Sequence, residues 1–283
     1  MKRRQISFLL FNSVGILIAC LCLFPLFWMM LAGFKKEAEV LAMPFKFFPN
    51  QWDPINYTNL LTGNVDTWVF AQGVTFWGSI MITFQVAVFS LVCSLLVNSM
   101  AGYVFARLDF PFKKLLWGLY LIPWFVPGIS VQISTFASVL RMNLLDTFWV
   151  LTLPGICFTF SIFFFRQFYL NIPSSLEEAA LLDGATRLNM YYHIFLPMSA
   201  TPFVVMGISV FLGYWGSYLW PAMTITNPKL FQINQVIAYF RSSRANQQHL
   251  IMAASTIAAI PTILLFFLTQ KYIMSGIKVS GLK

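Results

Sequence analysis

Six long apolar runs dominate this sequence and decide what the chain can fold into. Each run is long enough for a helix to cross the hydrocarbon core of a bilayer, which takes roughly 20 residues. Only 10% of the 283 residues are charged and 59% are hydrophobic, so the chain has too few charges to cover a surface facing water. The sequence therefore predicts an all-α, polytopic membrane protein. It excludes a soluble enzyme, a disordered chain and a disulfide-stapled secreted domain.

Proline and basic residues refine the limits of the predicted spans. Pro123, Pro127, Pro154 and Pro261 lie inside them, and transmembrane helices tolerate proline where neighbours or water satisfy the freed carbonyls. The N-terminal MKRR resembles the start of a secretory signal, but no clean small-x-small cleavage site precedes Lys35, so we expect a retained first helix. The six predicted transmembrane helices are 6–34, 74–106, 115–140, 148–165, 203–223 and 250–269.

The basic residues between the runs predict the orientation of the chain. With the N-terminus inside, eleven of the 18 Lys and Arg residues fall in inner segments, and the seven outer ones lie mainly in long loops, where the charge rule is weak. Both termini are therefore expected in the cytoplasm, with a cytoplasmic loop at 172–202, which we call the hook, and a cytoplasmic tail at 270–283. This topology accounts for most of the net charge of +9, so no nucleic-acid partner is expected.

The acidic residues and missing motifs bear on the energy source. None of the nine acidic residues falls in the middle of a predicted span, whereas ion-coupled transporters usually need an ionisable group there. The phosphate-binding pattern G-x-x-x-x-G-K-[ST] and the G-x-S-x-G elbow are absent from the sequence. His193 and His249 lack metal-ligand spacing. The sequence thus favours a transporter driven from outside this chain over a secondary transporter or a membrane-embedded enzyme, and it predicts no catalytic residue, metal or cofactor.

Residue types in the hook predict a short helix with defined ends. Ser174 and Ser175 can cap it, and Ser175 with Glu178 has the spacing of a capping box. Glu177 and Glu178 fall in the first turn, where the helix dipole favours acids. Gly184 can adopt the left-handed backbone that ends a helix.

A second short helix is expected from Arg187 to Phe195, ended by Pro197. The residues alone leave two functions open for the hook. It can lie on lipid headgroups as an amphipathic loop, or it can dock on a protein partner. The acids in the first turn slightly favour the protein partner because they disfavour an anionic lipid surface.

Small and polar residues also recur at helical spacing on two predicted spans. Such stripes allow helices to approach closely in lipid, with chance among many small residues as the alternative. They comprise Ser90, Ser94, Asn98, Gly102 and Ala106 on the second span, and Ser209, Gly213 and Ser217 on the fifth.

The hook carries the pattern EAA-x2-DGA-x8-I-x-LP, in which His193 stands where the pattern is usually basic. This pattern closely resembles the coupling signature of binding-protein-dependent ABC importer permeases. The stretches AGYVFARLDFPFKK, FFFRQFYLNIPSSLEEAA and QKYIMSGIKVSGLK resemble the maltose-type carbohydrate importers, the last of them the shorter of the two permeases. The residues that carry the signature are Glu178, Ala179, Ala180, Asp183, Gly184, Ala185, Ile194, Leu196 and Pro197.

The resemblance implies a single importer transmembrane domain spanning 1–283 in the cytoplasmic membrane of a prokaryote. It implies a second homologous permease, two ATPase subunits that bind ATP and Mg, an extracellular substrate-binding protein and surrounding lipid. ATP hydrolysis would then occur in the partners and not in this chain. Glu178 would pair with a basic group on an ATPase, and Gly184 would permit the turn.

A sugar substrate would favour aromatic faces and polar groups along the path. Trp215, Tyr218 and Trp220 on the fifth run are candidates, together with Gln132 and Asn98. The competing explanation for the aromatic residues is a position at the membrane interface, and the partner permease is an alternative source of the sugar contacts. The alternative solutes for the same coupling signature are a polyamine, phosphate or an amino acid.

Overall fold

The protein is helical throughout the part that the computed structural model describes. Residues 2–65, 68–242 and 247–280 are described, with side chains for 11–65, 70–241 and 247–272. The α-helices are α1 (Lys2–Ala32), α2 (Glu37–Val40), α3 (Ile55–Thr62), α4 (Trp68–Ala71), α5 (Phe76–Arg107), α6 (Lys113–Leu121), α7 (Gly128–Arg141), α8 (Phe148–Thr152), α9 (Thr159–Leu170), α10 (Ser175–Leu182), α11 (Arg187–Met190), α12 (Leu196–Met198), α13 (Ala200–Trp215), α14 (Leu219–Thr224), α15 (Ile233–Ser242) and α16 (Gln248–Ser280). Short 3₁₀ turns occupy Ile122–Phe125, Leu153–Gly155 and Pro228–Leu230, and a π-helical turn occupies Tyr191–Phe195. No strand occurs among these residues, which confirms the all-α prediction.

The candidate membrane spans number three to six within the described ranges. Phe11–Ala32, Phe76–Arg107 and Gln248–Tyr272 are each long and apolar enough to cross a membrane alone. Three bent pairs pass the same test if each counts as one span. They are Lys113–Phe125 with Gly128–Arg141 (bent by 106°), Phe148–Gly155 with Thr159–Leu170 (43°) and Arg187–Met198 with Ala200–Trp215 (79°). The upper count agrees with the six predicted spans.

Prolines explain why several predicted spans are divided. Pro123 lies in the 3₁₀ turn after α6, and Pro127 precedes α7 with an extended ψ of 126°, so the run 115–140 is two helices. Pro154 lies in the 3₁₀ turn between α8 and α9. Pro261, in contrast, is accommodated inside the unbroken helix α16. The third and fourth runs, in which the sequence places prolines, are therefore each divided into two helical segments.

The fifth and sixth runs also differ from their predicted bounds. Helix α13 ends at Trp215, and a separate helix, α14, begins only at Leu219, so the run 203–223 is broken at residues 216–218. Helix α16 continues to Ser280, so most of the predicted tail 270–283 is helical, and residues 281–283 lie outside the described residues.

One compact unit comprises the residues up to Ser79 together with Ile233–Pro261. In it, the end of α1 is tied to the loop that follows. The ammonium group of Lys35 lies 4.2 Å from the centroid of the Trp28 ring and donates to the carbonyl of Lys46. Asn56 donates to the carbonyls of Gly33 (2.9 Å) and Lys35 (2.8 Å). Lys35, predicted to lie in an outer loop, is therefore buried and fixed by its neighbours.

The second compact unit comprises Ile80–Gln232 together with the residues from Thr262 on. Its α5 carries the predicted stripe, and Ser90, Ser94 and Asn98 are fully buried. A Cβ atom on Gly102 would lie 2.7 Å from the Cβ of Phe165, so the backbones of α5 and α9 approach closely there. The packing role predicted for this stripe is confirmed.

A cluster of buried, mostly aromatic residues joins α5, α9, the hook and α13 within this unit. Rings from α5 and α9 meet rings from the hook, with centroid separations of 4.8 Å for Tyr103–Phe195 and 5.5 Å for Tyr169–Phe195. The hook is therefore packed against the spans along one side. We call this set the base cluster: Tyr103, Phe165, Tyr169, Ile172, Met190, Tyr191, Phe195 and Met206.

Candidate functional site

The first helix of the hook, α10, ends in a glycine turn. The N–H of Ala185 donates to the carbonyl of Ala180 (2.9 Å), and the N–H of Gly184 donates to that of Leu181 (3.0 Å). Gly184 has a φ of 78°, and these two bonds define a Schellman motif. A Cβ atom on Gly184 would meet no described atom within 4 Å, so glycine is needed for its backbone conformation and not for space. The predicted glycine stop is confirmed.

The start of α10 differs from the prediction. Ser174 occupies the N-cap position with a helical backbone (φ −65°, ψ −23°), and among the described residues its side chain makes no capping hydrogen bond. Its carbonyl instead accepts from the N–H groups of Glu177 (2.9 Å) and Glu178 (3.0 Å). The predicted capping box is therefore wrong. Both glutamates do lie in the first turn, as expected.

The return segment of the hook does not end at Pro197. Thr186, which the sequence analysis overlooked, caps α11 by accepting from the N–H of Asn189 (3.2 Å). The chain then passes through the π-helical turn into α12, where Pro197 is the second residue. The first N–H groups of a helical segment have no partner within it, so a proline is tolerated at that position.

The coupling residues divide between two faces of the hook. Glu178, Ala179, Asp183, Gly184 and Pro197 are exposed. The half-buried members pack against the base cluster: Ala180, Ala185, Ile194 and Leu196. The exposed face also carries apolar side chains, of which Leu182 is 90% exposed. One face thus holds the hook to the spans, and the other is available to a partner.

A buried ion pair, which the sequence analysis missed, holds the first turn of α10 against the end of α5. The Nη1 of Arg107, the last residue of α5, lies 2.9 Å from the Oε1 of Glu177, and both side chains are buried. Arg187 lies 3.7 Å from the other carboxylate oxygen and is half exposed. The sequence carried no signal that separates Glu177 from Glu178, because the partner of Glu177 lies seventy positions earlier in the chain.

A cavity of about 330 Å³ lies in the second unit between α7 and α13. Trp220 and Gln132, two of the predicted path residues, line it. The indole N–H of Trp220 donates to the carbonyl of Val150 (2.8 Å), which fixes the ring. Further polar lining comes from Thr135, Ser209, Tyr214, Ser217 and Gln232. The close helix contact predicted for Ser209, Gly213 and Ser217 is therefore wrong, because these residues line a cavity and a Cβ atom on Gly213 would meet no described atom within 4 Å.

Comparison with known proteins decides the family. Residues 98–279, well over half of the chain, match the family described as the binding-protein-dependent transport system inner membrane component. This chain belongs to that family. Membership argues against a membrane-embedded enzyme, because the family consists of transport components of the inner membrane.

Relatives support this membership over nearly the whole chain. The chain is 28% identical to the arabinooligosaccharides transport system permease protein AraQ of Halalkalibacterium halodurans, covering 94% of this chain and 93% of the relative. It is 26% identical to the lactose transport system permease protein LacG of Rhizobium radiobacter (97% and 96%) and to the sn-glycerol-3-phosphate transport system permease protein UgpE of Rhizobium meliloti (98% and 98%).

A solved structure supports the fold. The crystal structure of a bacterial ABC transporter involved in the import of the acidic polysaccharide alginate contains a chain that superimposes with a TM-score of 0.75. The sequence identity is 19%, and the match covers 96% of this chain and 98% of that one.

Three predicted path residues of this transport component lie outside the described lining of the cavity. Asn98 is fully buried, and its amide donates to Ser94 Oγ (2.7 Å) and to the carbonyl of Ile156 (3.0 Å). Trp215 is buried and stacks on Phe211, with centroids 5.7 Å apart. Tyr218 is half exposed. The structure therefore brings together two of the five predicted residues.

Asp146, which the sequence analysis did not single out, joins two loops of this transport component. Its carboxylate accepts from the N–H groups of Thr226 and Asn227 and from the hydroxyl of Thr226 (2.6 Å). Its own N–H donates to the carbonyl of Thr224 (3.1 Å). Burial raises the pKa of Asp146, but the three donated hydrogen bonds outweigh that effect and hold the pKa below its ordinary value.

Proposed function

We propose that this chain is the permease subunit of an ATP-driven ABC importer for a sugar or oligosaccharide. The observation that carries the proposal is the hook, which is held to the spans on one face and exposes Glu178 and Leu182 on the other. Family membership supplies the requirement for a binding protein. The exposed face is then the surface that meets the energy-supplying subunit.

The proposed assembly contains partners that supply what this chain lacks. A second homologous permease completes the pathway, and two ATPase subunits bind ATP and Mg on the cytoplasmic side, where both termini of this chain also lie. An extracellular binding protein delivers the solute to the outer loops. Closure of the ATPase subunits on ATP moves α10, and Glu178 pairs with a basic group in the ATPase cleft.

Two lines of support favour a carbohydrate as the solute. AraQ and LacG are named for sugars, and the cavity in the second unit suits a polar ligand with an apolar face. Its volume of about 330 Å³ falls within the usual range for small-molecule sites. Neither relative supports a polyamine or an amino acid. The relative named for sn-glycerol-3-phosphate makes a phosphorylated polyol the second candidate solute.

Within the cavity, Trp220 and Gln132 are the proposed contacts. The indole of Trp220 is held by its hydrogen bond, so its face is ordered before a sugar arrives and loses little freedom on binding. Support is weaker for Asn98 and Trp215, because Asn98 already bonds to groups within the chain and Trp215 packs on Phe211.

The test is uptake into proteoliposomes containing this chain together with the second permease, the ATPase and the binding protein that co-purify with it. The solute panel comprises arabinooligosaccharides, lactose, maltodextrins, sn-glycerol-3-phosphate and a polyamine. We expect uptake of one carbohydrate that requires both ATP and the binding protein. Uptake without ATP, or of the polyamine alone, would refute the proposal.

Variants of the aromatic contact then test the path. Trp220→Ala should reduce uptake and leave basal ATP hydrolysis unchanged, whereas Trp220→Phe should retain most uptake because it keeps a ring. Trp215→Ala is the matched comparison outside the cavity. If Trp215→Ala abolishes uptake in a fully assembled complex and Trp220→Ala does not, the path has been placed on the wrong residue.

A further inference from the structure

The guanidinium of Arg107 joins four structural elements in the second unit. It extends from the end of α5 and pairs with Glu177 in the first turn of α10. Its Nε donates to the carbonyl of Tyr169 (3.1 Å), and its Nη2 donates to the carbonyls of Tyr169 and Ile172 at the end of α9. Its Cζ lies 5.3 Å from the centroid of the Phe195 ring in the π-helical turn. One side chain therefore contacts both ends of the hook and the two spans beside it.

This set of contacts suits arginine and no other residue type. The planar guanidinium carries five N–H donors in a fixed arrangement. Here they point to the carbonyls of Tyr169 and Ile172 after α9 and to the carboxylate of Glu177. A buried ion pair contributes little net stability, but it penalises any arrangement in which the two charges part. The pair therefore fixes where α10 lies relative to α5.

Two further contacts lock α5 to α9 along their length. The close backbone approach at Gly102 leaves no room for a methyl group beside Phe165. Nearer the other end, the amide of Asn98 bonds to the carbonyl of Ile156 and accepts from the N–H of Phe158 (3.2 Å). The two helices consequently form a single rigid pair, to which Arg107 attaches the first turn of α10.

We propose that Arg107 is a positioning residue for energy coupling, acting through Glu177, so that α10 and the α5–α9 pair turn as one body when the ATPase closes. The proposal rests on the proposed function. In this proposal, two adjacent carboxylates have different roles in coupling. Glu178 is exposed and meets the ATPase, and Glu177 is buried and passes the movement of α10 to the spans.

The first test measures solute imported per ATP hydrolysed in the complete importer, using the best-transported oligosaccharide of the panel above. Glu177→Gln removes the charge but keeps the shape, and Arg107→Lys keeps the charge but loses the forked donors. Because coupling free energies typically correspond to about 5–150-fold effects, we expect each variant to lower this ratio at least about fivefold, with the ATPase still bound and active. Arg187→Gln is the matched control, since Arg187 is half exposed and lies 3.7 Å from the same carboxylate, and it should leave the ratio nearly unchanged.

The second test measures directly whether the distance between α10 and α5 stays fixed. Spin labels at Leu176→Cys on α10 and Leu96→Cys on α5 occupy exposed positions and leave Leu182, on the face proposed to meet the ATPase, unchanged. In the otherwise unmodified complex, their distance distribution should be narrow and identical with and without trapped nucleotide. In Glu177→Gln it should broaden or shift. The native cysteines are replaced first: Cys20, Cys22, Cys93 and Cys157.

The outcomes separate this proposal from the function on which it rests. Absence of ATP-dependent uptake by the unmodified complex would refute the proposed function. Normal uptake by that complex, with an unchanged ratio and an unchanged distance distribution in Glu177→Gln and Arg107→Lys, would overturn the positioning role alone. Failure of both variants to assemble with the ATPase would also overturn it, because the pair would then serve folding only.

Discussion

The close approach of α5 and α9 at Gly102 predicts a measurable cost for adding one methyl group. In Gly102→Ala the new Cβ would lie 2.7 Å from the Cβ of Phe165, 3.0 Å from the N of Arg166 and 3.2 Å from the carbonyl of Ile162. Carbon atoms in contact prefer roughly 3.5–4.0 Å. Two of the three neighbours are backbone atoms, which cannot turn away, so the helices must part by about 1 Å.

The magnitude follows from overpacking at a site that cannot relax. Inserting a methyl group into a well-packed interior typically costs about 1–3 kcal/mol. Alanine also gains about 1 kcal/mol over glycine in a helix interior, which partly masks that cost. Gly207→Ala on α13 is the matched control, because its Cβ would lie 3.5 Å and 3.6 Å from the methyl groups of Leu91 and Leu95, an ordinary contact. The predicted quantity is therefore the difference between the two variants, about 1–3 kcal/mol in favour of Gly207→Ala.

The assay is the free energy of unfolding of the purified full-length chain in mixed micelles, titrated with a denaturing detergent and followed by tryptophan fluorescence. Gly102→Ala should unfold at lower denaturant, and Gly207→Ala at the same concentration as the original chain or higher. Equal stability of the two variants would refute the reasoning, because it would mean that α5 and α9 can separate at no cost.

The remaining predictions concern the hook and the two loops that Asp146 joins. Gly184→Ala should lose about 1–2 kcal/mol of the hook's local stability, because a left-handed backbone is costly for residues with a Cβ. Gly184→Asn should lose less. The yield of ATPase that co-purifies with each variant measures the effect, and equal yields for the two variants and the original chain would contradict it. Glu178→Lys should abolish ATPase co-purification without reducing membrane insertion, and a full ATPase yield with normal uptake would count against docking at this face. Asp146 has a folded pKa below its ordinary value of 3.8, so its contribution to stability is complete above that pH and is lost as the pH falls through the lower folded pKa. Melting temperatures measured across acidic pH should show this loss in the original chain and not in Asp146→Ala.

Features governed by a single residue's backbone preference were predictable from the sequence. Gly184 ends α10 because few other residues accept a φ of 78° at low cost, and that preference does not depend on tertiary context. The four-residue spacing of small and polar residues on α5 likewise predicted which side of that helix is buried. The same reasoning failed at Ser174, where the helical backbone of the serine removes the geometry that a capping side chain needs.

Features that depend on distant partners were not predictable. Glu177 and Glu178 are identical in type and adjacent, yet one is buried against Arg107, seventy positions earlier in the chain, and the other is exposed. Asp146 similarly acquires its role from Thr226 and Asn227, across a separation of eighty residues. Prolines were expected inside the third and sixth spans alike, but Pro127 separates two helices whereas Pro261 lies within one.

The exposed apolar face of the hook has a consequence for how this protein is made. In the proposed orientation, Leu182 and its neighbour Leu181 face the cytoplasm until an ATPase covers them. A chain produced in excess of its ATPase would therefore carry an adhesive patch in water, open to chaperones, proteases and other unassembled copies. Balanced synthesis of the subunits would therefore protect this face, and overproduction of this chain alone should yield a larger aggregated or degraded fraction than coproduction with the ATPase.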